Sequence, residues 1–159
     1  MSHMKTVLIP AKTKAAQPGW VERWLAAAPQ ESAKTADSSE RLIQAIHSGF
    51  AFAELEQLRE ALDLPMDQLA VTLGLSRATL HRRKLTGRLD ANESDRVLRF
   101  ARLLGRALQV TGDLPSAREW LNSSQFGLGG AKPLEYAGTE VGAREVEDLL
   151  GRIEYGVYS

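Results

Sequence analysis

The feature that most constrains this chain of 159 residues is a three-residue interruption between two helical patterns, in the stretch LAVTLGLSRATLHRRK. Gly74 ends the first pattern because glycine readily adopts the left-handed backbone of a tight turn. Ser76 begins the second, since its hydroxyl can accept an otherwise unpaired backbone N–H. Ala70 is small where the two helices would cross, and Leu75 and Leu80 point back into the core. This spacing predicts a helix-turn-helix.

The second helix of this motif carries a basic cluster. With Leu80 facing the core, the polar side chains are left mostly on the outer face. A recognition helix lies in the major groove with its N-terminal residues at base edges, and Arg77 and Thr79 have that position. The cations at 82–84 lie one turn further on and are better placed for phosphates. The predicted DNA-binding residues are Ser76, Arg77, Thr79, His81, Arg82, Arg83 and Lys84.

The formally neutral chain separates its charges along its length. Residues 76–106 carry nine Lys or Arg against three Asp or Glu, a net charge of +6, whereas residues 1–75 have a net of −2 and residues 107–159 a net of −4. Such asymmetry suggests two surfaces with different partners. A charged run can also simply solvate a helix face, so the charges alone leave both interpretations open.

Composition excludes several classes of protein. With 43% apolar and 25% charged residues the chain is typical of a globular protein, and it contains no cysteine for a disulfide or thiolate metal site. It has no apolar run of membrane-spanning length and no secretory signal, so we expect a cytoplasmic protein. His47 and His81 have no partner motif, and no Gly-rich phosphate loop follows a strand. We therefore expect no enzyme activity, no cofactor and no metal.

The longest helical pattern runs from a capping box at Asp90 and Glu93 to about Val110. Its arginines share one arc, for which a solvated stripe is the simple interpretation. Its apolar residues cover more than one face, which suggests burial against a partner subunit. The arginines are Arg96, Arg99, Arg102 and Arg106, and the apolar residues are Val97, Leu98, Phe100, Ala101, Leu103, Leu104, Ala107 and Leu108.

The remaining patterns divide the chain into three parts. Residues 1–38 are expected to be a leader, with TVLIP as at most a brief strand and a short helix on which Trp20 and Trp24 are packing anchors. Residues 39–110 are expected to form the helix-turn-helix domain. Residues 111–159 are expected to form a separate helical domain, whose last helix begins at Thr139 and stops at Gly156.

Three stretches resemble the Xre/MbcA/ParS antitoxin family: TLHRRKLTGRLDANESDRVLRFARL, AREWLNSSQFGLGGAKPLEYAGTEVGAREVEDLL and RIEYGVY. They occur in order and at close spacing between about Phe50 and Tyr158. The resemblance implies an all-α protein in which an Xre-like helix-turn-helix domain precedes a small helical toxin-binding domain. It also implies a homodimer that binds operator DNA, represses its own operon, and forms a higher-order complex with a Res-type toxin, which is related to ADP-ribosyltransferases and depletes NAD.

The ending RIEYGVYS is the candidate toxin contact. Tyrosine and arginine are frequent interface anchors, and a terminal segment can enter a concave active site. We hypothesise that this end covers the NAD-binding cleft of the toxin through Arg152, Tyr155, Gly156, Val157, Tyr158 and Ser159. The aromatics could instead pin the last helix to its own domain. A helix-turn-helix regulator without a toxin partner is the alternative function.

Overall fold

The computed structural model describes residues 19–27 and 36–156. Within these ranges the chain contains no strand, and only an isolated bridge joins Ala51 to Arg88, so the predicted all-α class is confirmed. The TVLIP segment lies outside the described residues. The helices are α1 (Trp20–Ala27), α2 (Ala36–Ser48), α3 (Phe52–Leu62), α4 (Met66–Leu73), α5 (Arg77–Thr86), α6 (Ala91–Thr111), α7 (Leu114–Leu121), α8 (Pro133–Tyr136) and α9 (Glu140–Glu154), with a 3-10 turn at Phe126–Leu128. None of the helices in the described part of the chain has the length and apolar character to cross a bilayer.

Helices α4 and α5 form the predicted helix-turn-helix. Gly74 ends α4 with φ of 72°, and the Leu75 N–H donates to the Ala70 carbonyl at 2.8 Å. The Ser76 hydroxyl accepts the Thr79 N–H at 3.1 Å and so caps α5. Both the turn and the cap therefore have the local chemistry that the sequence predicted.

Helix α6 is the centre of the molecule. It begins in the predicted capping box, in which the Glu93 N–H donates to Asp90 at 2.7 Å and the Asp90 N–H donates to Glu93 at 2.9 Å. It contacts α1, α2, α3, α4, α7 and α9. These neighbours bury both apolar strips of the helix, so its breadth is explained within one chain, and the suggestion of a partner subunit there is wrong. The buried residues include Val97, Leu98, Phe100, Ala101, Leu103, Leu104 and Ala107.

The arginines of α6 do not form a solvated stripe, contrary to expectation. Arg96 donates to the Leu73 carbonyl at 2.9 Å and so satisfies the end of α4. The guanidinium of Arg102 lies over the ring of Trp24, 5.1 Å from its centre. This is a cation–π interaction, and because Arg102 is exposed it contributes about 0.5–1 kcal/mol. These two arginines therefore hold neighbouring helices against α6.

Three further arginines join the N-terminal and C-terminal halves. From α6, Arg99 pairs with Glu140 at 3.5 Å and Arg106 pairs with Glu154, so both ends of α9 are tied to α6. From α7, Arg118 donates to two carbonyls at the end of α3, at 2.7 and 3.2 Å. A basic side chain suits that place, because the last carbonyls of a helix have no partner within it. The two halves thus form one packed unit in the described chain.

Helix α1 is docked by a buried carboxylate. Glu54 of α3 is 8% exposed and accepts the backbone N–H groups of Trp20 and Val21, each at 3.0 Å. This carboxylate supplies the N-terminal cap that the sequence of α1 lacks. Val21 is fully buried, and the ring of Trp20 stacks on that of Phe50. The tryptophan helix is therefore part of the core, as expected for packing anchors.

We predict that Glu54→Ala releases α1. Two N–H groups would lose their acceptor, which should lower the free energy of unfolding by about 1–2 kcal/mol. Hydrogen exchange should rise at residues 20–27, and denaturant unfolding would measure the loss. Glu56→Ala removes an exposed carboxylate from the same helix and should change stability by less than about 0.5 kcal/mol. Equal exchange in both variants would contradict the capping role.

Candidate nucleic-acid and protein interfaces

Helix α5 is held at both ends, which fixes the face it presents. Ser76 caps its start, and Gly87 ends it with φ of 79°. Beyond that end, the Phe52 N–H donates to the Gly87 carbonyl and the Leu89 N–H donates to the Phe50 carbonyl, both at 2.8 Å. The backbone around the second helix of the motif is therefore paired with the segment that precedes α3, and α5 is a rigid element.

Most of the predicted DNA-binding side chains on α5 are exposed. Arg77 is 88% exposed and has only a distant pair with Asp67, at 4.0 Å between two exposed groups, which contributes little. Thr79 is half-buried, and its hydroxyl accepts a hydrogen bond from the Ser76 hydroxyl at 2.9 Å. The other exposed members of the set are Ser76, His81, Arg82 and Lys84. These positions leave cationic groups available to a partner along one side of the motif.

Arg83 is placed differently, and the expectation that it faces outward is wrong. Its side chain is 23% exposed, its Nε donates to Glu93 at 2.7 Å and its Nη2 donates to Asp90 at 3.1 Å. The hydrogen bond with Glu93 raises the pKa of Arg83 above its usual value. At 100° per residue, Arg83 lies a quarter turn from Arg82, toward α6. It therefore fastens α5 to the capping box of α6.

The sequence prediction did not include two exposed or partly exposed residues of this surface, Leu85 on α5 and Arg59 on α3. Ala78, Arg82 and Leu85 share the outermost line of the helix, and Leu85 is 75% exposed. The helical phase of Leu85 relative to Leu80 could have identified it. Arg59 of α3 lines a shallow hollow together with Arg77, His81 and Lys84 of α5. Nothing in the sequence near Arg59 marks it, because only the packing of α3 brings it there.

In the C-terminal half, α9 presents one face to the core and one to solvent. Thr139 caps its start by accepting the Gly142 N–H at 3.0 Å, and Val146 and Leu150 are fully buried. On the other face Tyr155 is 79% exposed, so it does not pin the last helix to its own domain. Arg152 is half-buried, Gly156 is exposed, and Val157, Tyr158 and Ser159 lie outside the described residues.

The exposed ring of Phe126 was also missed from the sequence. It lies in the 3-10 turn between α7 and α8 and is 92% exposed. The segment SSQFGLGG reads as a turn, and such a segment indicates backbone geometry without indicating which way its apolar side chains point. Leu128, two residues later, is buried.

Two protein-family models match the chain. Residues 35–102 match the antitoxin Xre-like helix-turn-helix domain, and residues 106–156 match the antitoxin Xre/MbcA/ParS C-terminal toxin-binding domain. "Antitoxin Xre" of Yersinia enterocolitica is 34% identical over 120 residues, which cover 74% of this chain and 81% of that protein. The chain belongs to the Xre family of antitoxins.

Two more Xre antitoxins are similar over shorter ranges. The one from Photorhabdus laumondii is 39% identical over 74 residues, 46% of this chain and 50% of that protein. The one from Pseudomonas putida is 32% identical over 68 residues, 43% of each chain. Xre antitoxins are regulatory and binding proteins, and the helix-turn-helix domain implies DNA binding. Among the residues that the structure describes, no cluster of His, Asp and Glu could hold a metal ion.

We predict that two adjacent arginines of this Xre antitoxin have different roles. Arg83→Ala should lower the melting temperature by a few degrees, because the capping box of α6 loses its partner on α5. Arg82→Ala should leave the melting temperature unchanged, since Arg82 is exposed and forms no ion pair with the described residues. Calorimetry of both variants checks this. A larger loss in Arg82→Ala would reverse the assignment.

Proposed function

We propose that this chain is the antitoxin of a type II toxin–antitoxin system, which inhibits a Res-type, NAD-depleting toxin and represses its own operon as a homodimer. The observation that carries the proposal is the presence in one chain of an outward cationic face on α5 and a domain that matches the toxin-binding model. The match of that second domain to the toxin-binding model favours an antitoxin over a regulator without a toxin partner.

For DNA, the proposed contacts follow from position on α5. Arg77 lies at the start of the helix, where arginine can grip a guanine edge in the major groove. Arg82 and Lys84 are exposed cations further along and suit phosphates, and Arg59 across the hollow adds another. One such motif binds weakly, so two copies about one helical turn of DNA apart are required.

For the toxin, the proposed contact is the end of the chain. Tyr155 is exposed at the end of α9, next to a hollow that Arg152 and Arg106 line. Residues 156–159 follow directly in the sequence. We propose that they cover the NAD-binding cleft of the toxin and so block the entry of NAD.

Co-expression with the protein encoded by the adjacent gene tests the whole proposal. We expect that protein alone to stop growth and lower cellular NAD, and this chain to restore both while copurifying with it. The complex, and the antitoxin dimer alone, should bind the promoter region of the operon. An adjacent protein that neither lowers NAD nor copurifies would refute the antitoxin assignment, and a monomeric chain at micromolar concentration would refute the repressor.

We predict that two arginine substitutions on α5 affect DNA binding differently. Arg77→Ala should weaken operator binding and relax its specificity, by about 1–3 kcal/mol at one base pair. Arg82→Ala should weaken operator and random DNA alike and reduce the slope of log K against log salt by about 1. Titrations at several salt concentrations measure both. Arg144→Ala, an exposed arginine on α9, is the matched control and should change neither quantity.

We predict that removing residues 156–159 abolishes protection from the toxin. The shortened chain should still bind DNA with unchanged affinity, because helix α5 is fixed by contacts within the N-terminal half. Growth and NAD levels in co-expressing cells measure protection, and a promoter-binding titration measures the second activity. Full protection by the shortened chain would show that the end of the chain does not cover the cleft.

A further inference from the structure

Phe126 is the most exposed of the large apolar side chains in the described chain, at 92%. A single exposed apolar residue is common on protein surfaces and requires no explanation. Phe126, however, is an aromatic ring held on a backbone that is locked in place and that lies against a helix of the toxin-binding domain. Each of these three features bears on what the ring can contact.

The backbone around Phe126 is closed by hydrogen bonds. We define the aromatic loop as residues 125–131. Its ends pair directly, because the Gln125 N–H donates to the Ala131 carbonyl at 3.0 Å and the Gly130 N–H donates to the Gln125 carbonyl at 2.9 Å. The Gln125 side chain donates to two carbonyls of the preceding segment, at 3.0 and 3.2 Å. Burial of Leu128 fastens the middle of the loop. A ring presented in this way loses little conformational entropy on binding.

The aromatic loop lies directly against α9. A Cβ placed on Gly127 would be 2.7 Å from a methyl group of Leu149, so the loop backbone touches that side chain. On the same helix, Glu145 and Arg152 are one turn before and one turn after Leu149 and lie toward the solvent side. The aromatic loop therefore borders the side of α9 on which Glu145 and Arg152 lie.

The side of α9 that borders the aromatic loop carries one acidic residue, Glu145, whereas Glu147 and Asp148 lie further round the helix at 100° per residue. Glu145, Glu147 and Asp148 are exposed and form no ion pair with the described residues. The C-terminal part of the chain, residues 107–159, has a net charge of −4. A partner that covers this face must therefore supply an apolar pocket for one ring and positive charge beside it.

We propose that Phe126, held on the aromatic loop beside α9, is an apolar anchor of the toxin contact, and that Glu145 beside it faces a basic rim on the toxin. The inference rests on the proposed function and extends its toxin contact from the end of the chain to this loop. The toxin is the occupant because the loop and α9 lie within residues 106–156, which match the toxin-binding model.

The test is the affinity of full-length Phe126→Ala for the toxin encoded by the adjacent gene. We expect the dissociation constant to rise at least tenfold, to about the level found when a central aromatic anchor is truncated. The melting temperature should not change, because the ring is exposed. Phe126→Leu keeps much of the apolar area, so its dissociation constant should lie between those of the wild type and Phe126→Ala. Leu85→Ala removes another exposed apolar side chain, 75% exposed, from the helix-turn-helix and should leave toxin affinity unchanged.

A second measurement tests the charge. Glu145→Gln should slow association with the toxin at low salt and make the association rate less dependent on salt, because a rim charge acts mainly through steering.

Unchanged toxin affinity in Phe126→Ala, with wild type binding normally, would overturn the inference and leave the proposed function intact. A wild-type chain that binds no toxin would refute the proposed function itself. A lower oligomer mass of Phe126→Ala alone, by light scattering, would show a contact between copies and also overturn the inference.

Discussion

The burial of α6 on both sides is the constraint on which the rest of the structure depends. Its apolar strips are covered by α1, α2, α3 and α4 from the N-terminal part of the chain and by α7 and α9 from the C-terminal part. A helix in this position cannot shift without disturbing both neighbours, because packed interiors have no free volume to absorb the movement. The exposed cationic side of α5 and the outward face of α9 are therefore both positioned by α6.

Most arginines in the basic middle of the chain are used within the protein. Arg83 and the four arginines of α6 bind carboxylates, carbonyls or an aromatic ring of neighbouring elements. Arg88 likewise donates to the Gly49 carbonyl at 2.7 Å. The net charge of +6 in residues 76–106 thus overstates the cationic surface offered to a partner. The cations that remain outward on α5 are Arg77, Arg82 and Lys84.

Local features could be read from the sequence, and tertiary ones could not. The left-handed Gly74, the Ser76 cap and the Asp90–Glu93 capping box depend only on residues within a few positions of one another. The partner of Arg83, by contrast, is decided by how α5 crosses α6, and the exposure of Phe126 is decided by how its loop lies on α9. The sequence showed that apolar residues cover more than one face of α6. It did not show whether these faces are buried by the same chain or by another.

The shared helix bears on how the two proposed activities relate. Arg99 and Arg106 project from α6 to opposite ends of α9. Both groups of the Arg106–Glu154 pair are less than a third exposed, so salt screens that pair less than an exposed one. A toxin bound to the outer face of α9 would act on α6 through these ion pairs. The N-terminal end of α6 is in turn bound to α5 through Arg83. For toxin binding to change DNA affinity, α6 and its neighbours would have to adopt two alternative packing arrangements. The continuous packing of α6 favours one arrangement, so the physical expectation is two binding surfaces on a common rigid support.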